Sequence, residues 1–189
     1  MIDPLFSLVA RGALALLFAS AAVHKLRDID AFRRAVEGYE LLPPLWAVPA
    51  GALLIAGELG LAVGLWLPRV APVASLGAAL LLGLYAWAIA VNLRRGRRDL
   101  DCGCGGPARR QMISPALVWR NSLLAAVALL AALPVSGRSL TWFDGGTLVA
   151  AVASLALLYA AADGLLANAP GAARLRRRAE PSEIGGSHA

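Results

Sequence analysis

Long runs of apolar residues alternate along this chain with short stretches crowded with charge. A helix needs roughly 20 mostly apolar residues to cross a hydrocarbon core of about 30 Å. Five segments meet that length: Leu5–Leu26, Leu45–Leu67, Val70–Leu93, Ser114–Leu133 and Phe143–Ala167. Their continuous Ala, Leu, Val and Gly content predicts helices, because the strands of a membrane barrel alternate apolar and polar positions. Arg11 interrupts the first segment and no basic stretch precedes it, so it is expected to stay as a span and not to act as a cleavable signal. Between the first two segments, Ala31, Phe32, Ala35, Val36, Tyr39 and Leu42 recur at helical spacing among charged residues. That pattern predicts a short amphipathic helix along the membrane interface, ended by Pro43-Pro44. Gly57, Gly60 and Gly64 recur within the second segment. They either admit a close neighbouring helix or reflect the frequency of glycine in membrane helices.

Composition strengthens the membrane reading. The 189 residues are 59% hydrophobic, with a mean hydropathy of +0.66. A soluble core built from these segments would have too little polar surface to cover it. The predicted fold is an all-α integral membrane protein, a bundle of about five transmembrane helices plus the interfacial one. Residues 1–168 read as the transmembrane domain, and 169–189 as a basic tail expected to be disordered and cytosolic.

The net charge of +6 sits mainly in arginines at segment ends. With no aromatic residues interleaved in a basic stripe, it points to lipid headgroups as partners and not to nucleic acid. Five spans put the two termini on opposite sides. One side collects Arg69 and Arg138; the other collects fourteen Lys/Arg from the 25–44 loop, the 94–113 loop and the tail. The excess of positive charge predicts an N-terminus outside, a C-terminus in the cytosol, and the 94–113 loop on the cytosolic side of the inner membrane.

Away from the span ends, four residues of a kind rare in lipid carry charge: Arg11, Glu58, Arg120 and Asp163. An isolated charge there is costly and calls for a partner. At about 1.5 Å per helical residue, Arg11 and Glu58 lie roughly 9 and 13 Å from the outer end of their helices, and Arg120 and Asp163 roughly 9 and 6 Å from the inner end. Depth predicts two interhelical salt bridges, Arg11 with Glu58 and Arg120 with Asp163. They fix packing, or else Glu58 or Arg120 lines a cofactor or proton site. His24 and Lys25 close the first helix on the side of the 94–113 loop.

That loop holds the chain's two cysteines, Cys102-Gly103-Cys104, followed by Gly105-Gly106-Pro107 and flanked by arginines. The glycines favour a tight bend. Nearby arginines favour the reactive thiolate and Asp99 and Asp101 oppose it. Three readings stay open: a thiol–disulfide redox pair, a metal site, or small residues buried in a turn. A closed zinc site wants four ligands, and the chain offers the two cysteines with His24 and His188; no metal is predicted. Nothing resembles a phosphate-binding loop, a Ser/His/Asp set or paired catalytic carboxylates.

Several of these stretches resemble the MauE-type proteins of the DoxX-like membrane superfamily. They are Val23-His24-Lys25-Leu26-Arg27-Asp28, Phe32, Tyr39-Glu40-Leu41-Leu42-Pro43, Gly57 to Leu65 around Glu58, and Asp101-Cys102-Gly103-Cys104-Gly105-Gly106 followed by Arg120-Asn121. The family pattern has an aromatic at the position of Gly105. The resemblance covers residues 5–133 and extends loosely over the fifth segment. It implies a four-helix DoxX-like core plus one helix, and an inner-membrane role in maturing the methylamine dehydrogenase small subunit, a disulfide-rich periplasmic protein, beside a thioredoxin-like partner. Carried over by position, Cys102 and Cys104 are the redox candidates, with Glu58, Arg120 and Lys25 in support. No bound cofactor is expected. The alternatives are a non-enzymatic scaffold or assembly factor, and a membrane protein that binds a quinone or a small solute.

Overall fold

The computed structural model describes residues 2–102 and 112–179, and beyond Leu165 the backbone of the last helix. Cys104, His188, the Gly105-Gly106-Pro107 turn and the 180–189 end of the tail lie outside the described residues. Six helices follow in order: α1 (Pro4–Arg27), α2 (Ile29–Gly38), α3 (Pro44–Gly64), α4 (Ala71–Arg94), α5 (Pro115–Ala131) and α6 (Trp142–Ala179).

Local sequence explains most boundaries. Proline stands in the first turn of α1, α3, α4 and α5, where its missing N–H costs nothing and its fixed φ suits a helix. Asp3 caps α1 by accepting from the Leu5 N–H at 2.8 Å. Asp28 ends α1 and caps α2 by accepting from the Ala31 N–H at 2.9 Å. The amphipathic helix is present but stops at Gly38, short of Pro43-Pro44; those prolines open α3 instead. The break falls at Glu40, the one non-glycine residue with positive φ (48°) among the described residues.

α1, α3, α4 and the first 24 residues of α6 are long and apolar enough to cross a membrane, while α5 is a shorter apolar helix of 17 residues. Large apolar side chains such as Leu45, Leu53, Leu80, Trp119 and Leu157 point outward, as lipid-facing residues do. The chain is a multi-pass helical membrane protein. The boundary expected at residue 168 falls within α6, whose helix continues to Ala179.

α4 packs most closely against α5, and α1 against α3. The core is small and tight: Leu14, Ala15, Phe18, Ala62, Leu65, Ala74, Ala78, Ala79, Leu82 and Ala128. Without water as a driving force, close van der Waals fit holds such helices together. Of the three glycines singled out in the second segment, Gly64 sits at a close approach, where an added Cβ would meet Ala74 Cβ at 3.1 Å; Gly57 and Gly60 face open space.

The two ends of the bundle differ. At one, Ile2 pairs with Val135, and Arg138 bridges Asp3 and Asp144, each at 3.1 Å. At the other, α2 meets the chain leaving α4: Arg97 pairs with Glu40 at 2.8 Å, and Asp101 bridges to Met112 across the mouth of the cysteine loop.

Candidate functional site

Lys25 is the only lysine in the chain, and it is 3% exposed. Its ammonium pairs with Glu58 Oε1. Glu58 is fully buried. The same oxygen accepts from the Tyr85 hydroxyl at 2.8 Å, so one carboxylate ties α1, α3 and α4 together. The ammonium lies 5.3 Å from the Phe32 ring centroid and 5.4 Å from that of Tyr85, a distance at which ring quadrupoles stabilise a cation. Glu58 Oε2 has no hydrogen-bond partner among the described residues.

The pairing replaces the Arg11–Glu58 bridge expected from depth. Helical side chains lean toward their own N-terminus. On the antiparallel α1 and α3, Lys25 therefore reaches toward the first end of the bundle and Glu58 reaches back toward the second. The two groups meet although their Cα atoms lie at different depths. Arg11 remains near the first end; its Nε donates to the Ser7 carbonyl at 3.3 Å. The other expected bridge forms: Arg120 pairs with Asp163, and the Arg120 guanidinium lies 5.5 Å from the Tyr159 ring centroid.

Cys102 is 8% exposed. It packs with Ile89, Ile113 and Leu117, with Tyr39 and Leu100 beside them. It also lines a cavity of about 350 Å³ whose wall includes Lys25, Phe32, Tyr39 and Tyr85. The corner above that wall is held in place by Asn92, which is fully buried. Its Nδ2 donates to the carbonyls of Tyr39 and Ala88, both at 3.2 Å. Arg95 adds a bond to the Glu40 carbonyl at 3.3 Å.

The structure thus gathers Cys102, Lys25 and Glu58 from the sequence candidates. It leaves Arg11 near the opposite end, and Arg120 with Asp163 between α5 and α6. His24 is half-buried and does not line the cavity. No group of His, Cys, Asp and Glu among the described residues is arranged to hold a metal. Sequence reasoning missed Tyr85 and Asn92. A phenol and an amide inside an apolar run are the signal that would have marked them.

Fold and site together define a polytopic helical membrane protein in which a buried ion pair and a buried thiol share one apolar cavity. Over residues 3–134 the chain matches the family described as Methylamine utilisation protein MauE, and it belongs to that family. It is 41% identical over 180 residues to a methylamine utilization protein MauE of Paracoccus versutus, covering 93% of this chain and 97% of the relative. The MauE of Methylophilus methylotrophus is 38% identical over 163 residues, covering 85% of this chain and 86% of the relative. That of Paracoccus denitrificans is 39% identical over 165 residues, covering 86% and 88%. No solved structure gives a significant match. The family match takes in Lys25, Glu58, Tyr85 and the whole cysteine loop, and stops before α6.

Proposed function

We propose that the protein is an accessory of methylamine utilisation that acts by thiol–disulfide exchange at Cys102 and Cys104. Its service is the maturation of a disulfide-bearing extracytoplasmic protein, by family resemblance the methylamine dehydrogenase small subunit, in concert with a thioredoxin-like partner. The observation that carries this reading is the position of Cys102: buried, on the wall of a cavity that the chain's one lysine also lines. A purely structural cysteine needs neither a cavity nor a cation.

In the exchange, one thiolate attacks a sulfur of the partner's disulfide and the partner's other sulfur leaves as a thiolate. The second cysteine then attacks the mixed disulfide. The products are a Cys102–Cys104 disulfide and a reduced partner, and the reverse sequence oxidises the partner. The charge asymmetry of the loops supports an inner-membrane location and a cytosolic side for the cysteine loop. The client lies on the other side, so the thiols, with Cys102 buried in the bundle, exchange reducing equivalents with it across the membrane.

The test is thiol trapping in intact cells with membrane-permeant and membrane-impermeant maleimides, with and without prior reduction. Labelling of both cysteines only after reduction is expected, and the reagent that reaches them reports their side. Free labelling without reduction, with normal client maturation in the Cys102→Ser/Cys104→Ser protein, would overturn the redox reading in favour of a scaffold.

A further inference from the structure

The cavity is apolar almost throughout, yet a thiol and an ammonium stand in its wall. It is not closed off from the sides of the bundle. Three of its lining residues, Leu42, Leu84 and Trp87, are 50%, 46% and 55% exposed. α3 and α4, which flank it, pack against each other far less than α4 packs against α5. Trp87 stands seven residues from the Arg94 end of α4, roughly 10 Å into the membrane, so on that side the opening lies at the depth of the acyl chains. A ligand entering there comes from the lipid phase.

The polar groups narrow its chemistry. An ammonium donates more than one hydrogen bond, and Lys25 lines the cavity while also serving Glu58. It suits a ligand oxygen that gains negative charge. The thiol on the same cavity wall suits a ligand that takes up electrons. A lipid-soluble compound with carbonyl oxygens that accepts an electron pair is a quinone. A volume of about 350 Å³ lies at the small end of ligand pockets, about 300–1,000 Å³. It holds one substituted ring, with an isoprenoid tail passing out between α3 and α4. An acyl chain would fill the same space but offers the Lys25 ammonium no acceptor.

We propose that this cavity is the binding site of a membrane quinone that serves as electron acceptor for the cysteine pair. The inference rests on the thiol-exchange reading given above. The step balances within itself. The two thiols lose two electrons and two protons and form one S–S bond, and the quinone gains both electrons and both protons and leaves as the quinol. Lys25 donates to one quinone carbonyl; Glu58 and Tyr85 hold it there.

The experiment uses the full chain in lipid nanodiscs, reduced and freed of reductant, with decylubiquinone as probe. Disulfide formation and quinol appearance are measured together, and quenching of Trp87 fluorescence reports binding independently of redox chemistry. One quinol per disulfide is expected, with quenching that is lost in Trp87→Phe. Two cavity-filling changes on separate helices, Ala50→Phe on α3 and Ala35→Phe on α2, should each weaken binding and slow quinol formation by about tenfold or more, while dithiothreitol still reduces the oxidised pair. Oxidation by a soluble disulfide but not by the quinone, with unaltered quenching in both filled variants, removes the quinone site and leaves the exchange reading intact. A pair that no oxidant closes removes the exchange reading and the proposed step with it. Displacement of the probe by oleate at equal concentration would assign the cavity to an acyl chain and overturn the proposal.

Discussion

Among the described residues two ion pairs join helices within the apolar part of the bundle, each a cation with a carboxylate, and their surroundings differ. Lys25–Glu58 has side chains 2% and 0% exposed; Arg120–Asp163 has side chains 14% and 22% exposed. The first joins three helices of the bundle through Tyr85 and abuts a cavity with a cysteine in its wall. The second fastens α6, whose apolar span is otherwise unburied, to α5. An intramembrane charge is a reason to search for function. What sets the first pair apart is the cavity beside it and the cysteine in that cavity's wall.

The comparison breaks most sharply at Glu58. Glu58→Gln leaves Lys25 as an uncompensated buried cation, a loss of about 3–5 kcal/mol, and thermal unfolding in detergent is expected to show it. The double change Lys25→Met/Glu58→Leu removes both charges, so stability should return close to that of the parent protein while thiol exchange stays impaired. If exchange also returns, the buried pair is only a fastener like its counterpart.

At the second pair the expected loss is smaller. Asp163→Asn removes a partly exposed, charge-assisted bond worth about 1.5–3 kcal/mol. The effect should fall on α6 alone. A cysteine introduced at Leu157 should react faster with maleimide, while the rest of the bundle keeps its melting behaviour. Asn92→Leu should cost about 1–3 kcal/mol by leaving the Tyr39 carbonyl without its buried donor. Hydrogen exchange at the α2–α3 corner is the readout.

The smallest effect belongs to the clasp at the far end. The Leu5 N–H, and after it the Arg138 guanidinium, hold the Asp3 carboxyl below its ordinary value of 3.8. A depressed acid contributes stability above its unfolded-state pKa and loses it as pH falls through the folded value. The clasp should therefore be intact at neutral pH and should loosen only below about pH 4, seen as faster exchange of the Leu5 amide. Asp3→Asn should remove that pH dependence.

The fold was legible because hydrophobic length speaks directly to membrane span; the helix starts set by Asp3, Asp28 and the first-turn prolines were not read from the sequence, where Pro43-Pro44 stood only as the end of a helix. Arg120–Asp163 was legible because both residues lie near the same end of consecutive antiparallel helices. Lys25–Glu58 was not, because counting Cα depth ignores the lean of side chains along a helix. A long lysine and a glutamate on antiparallel neighbours converge over several ångströms. The second helix was foreseen but its end was not: the chain breaks at Glu40, where Asn92, Arg95 and Arg97 from α4 and the segment after it hold the corner. Those contacts are tertiary, and no local signal encodes them. The cavity is likewise a property of how loosely α3 meets α4. Cys102 was marked by sequence as a reactive candidate, but its place on the wall with Lys25 emerges only when α1, α2 and α4 are assembled.

One further consequence follows from the single lysine. The other basic side chains are arginines and two histidines, none of them an amine, so amine-directed reagents have one side-chain target, and the native fold hides it. The intact protein should be nearly silent to an N-hydroxysuccinimide ester apart from any terminal amine, and resistant to a lysine-specific protease. Loss of the α1–α3 contact would expose the one amine that both reagents need, giving a stoichiometric chemical report on whether the heart of the bundle is closed.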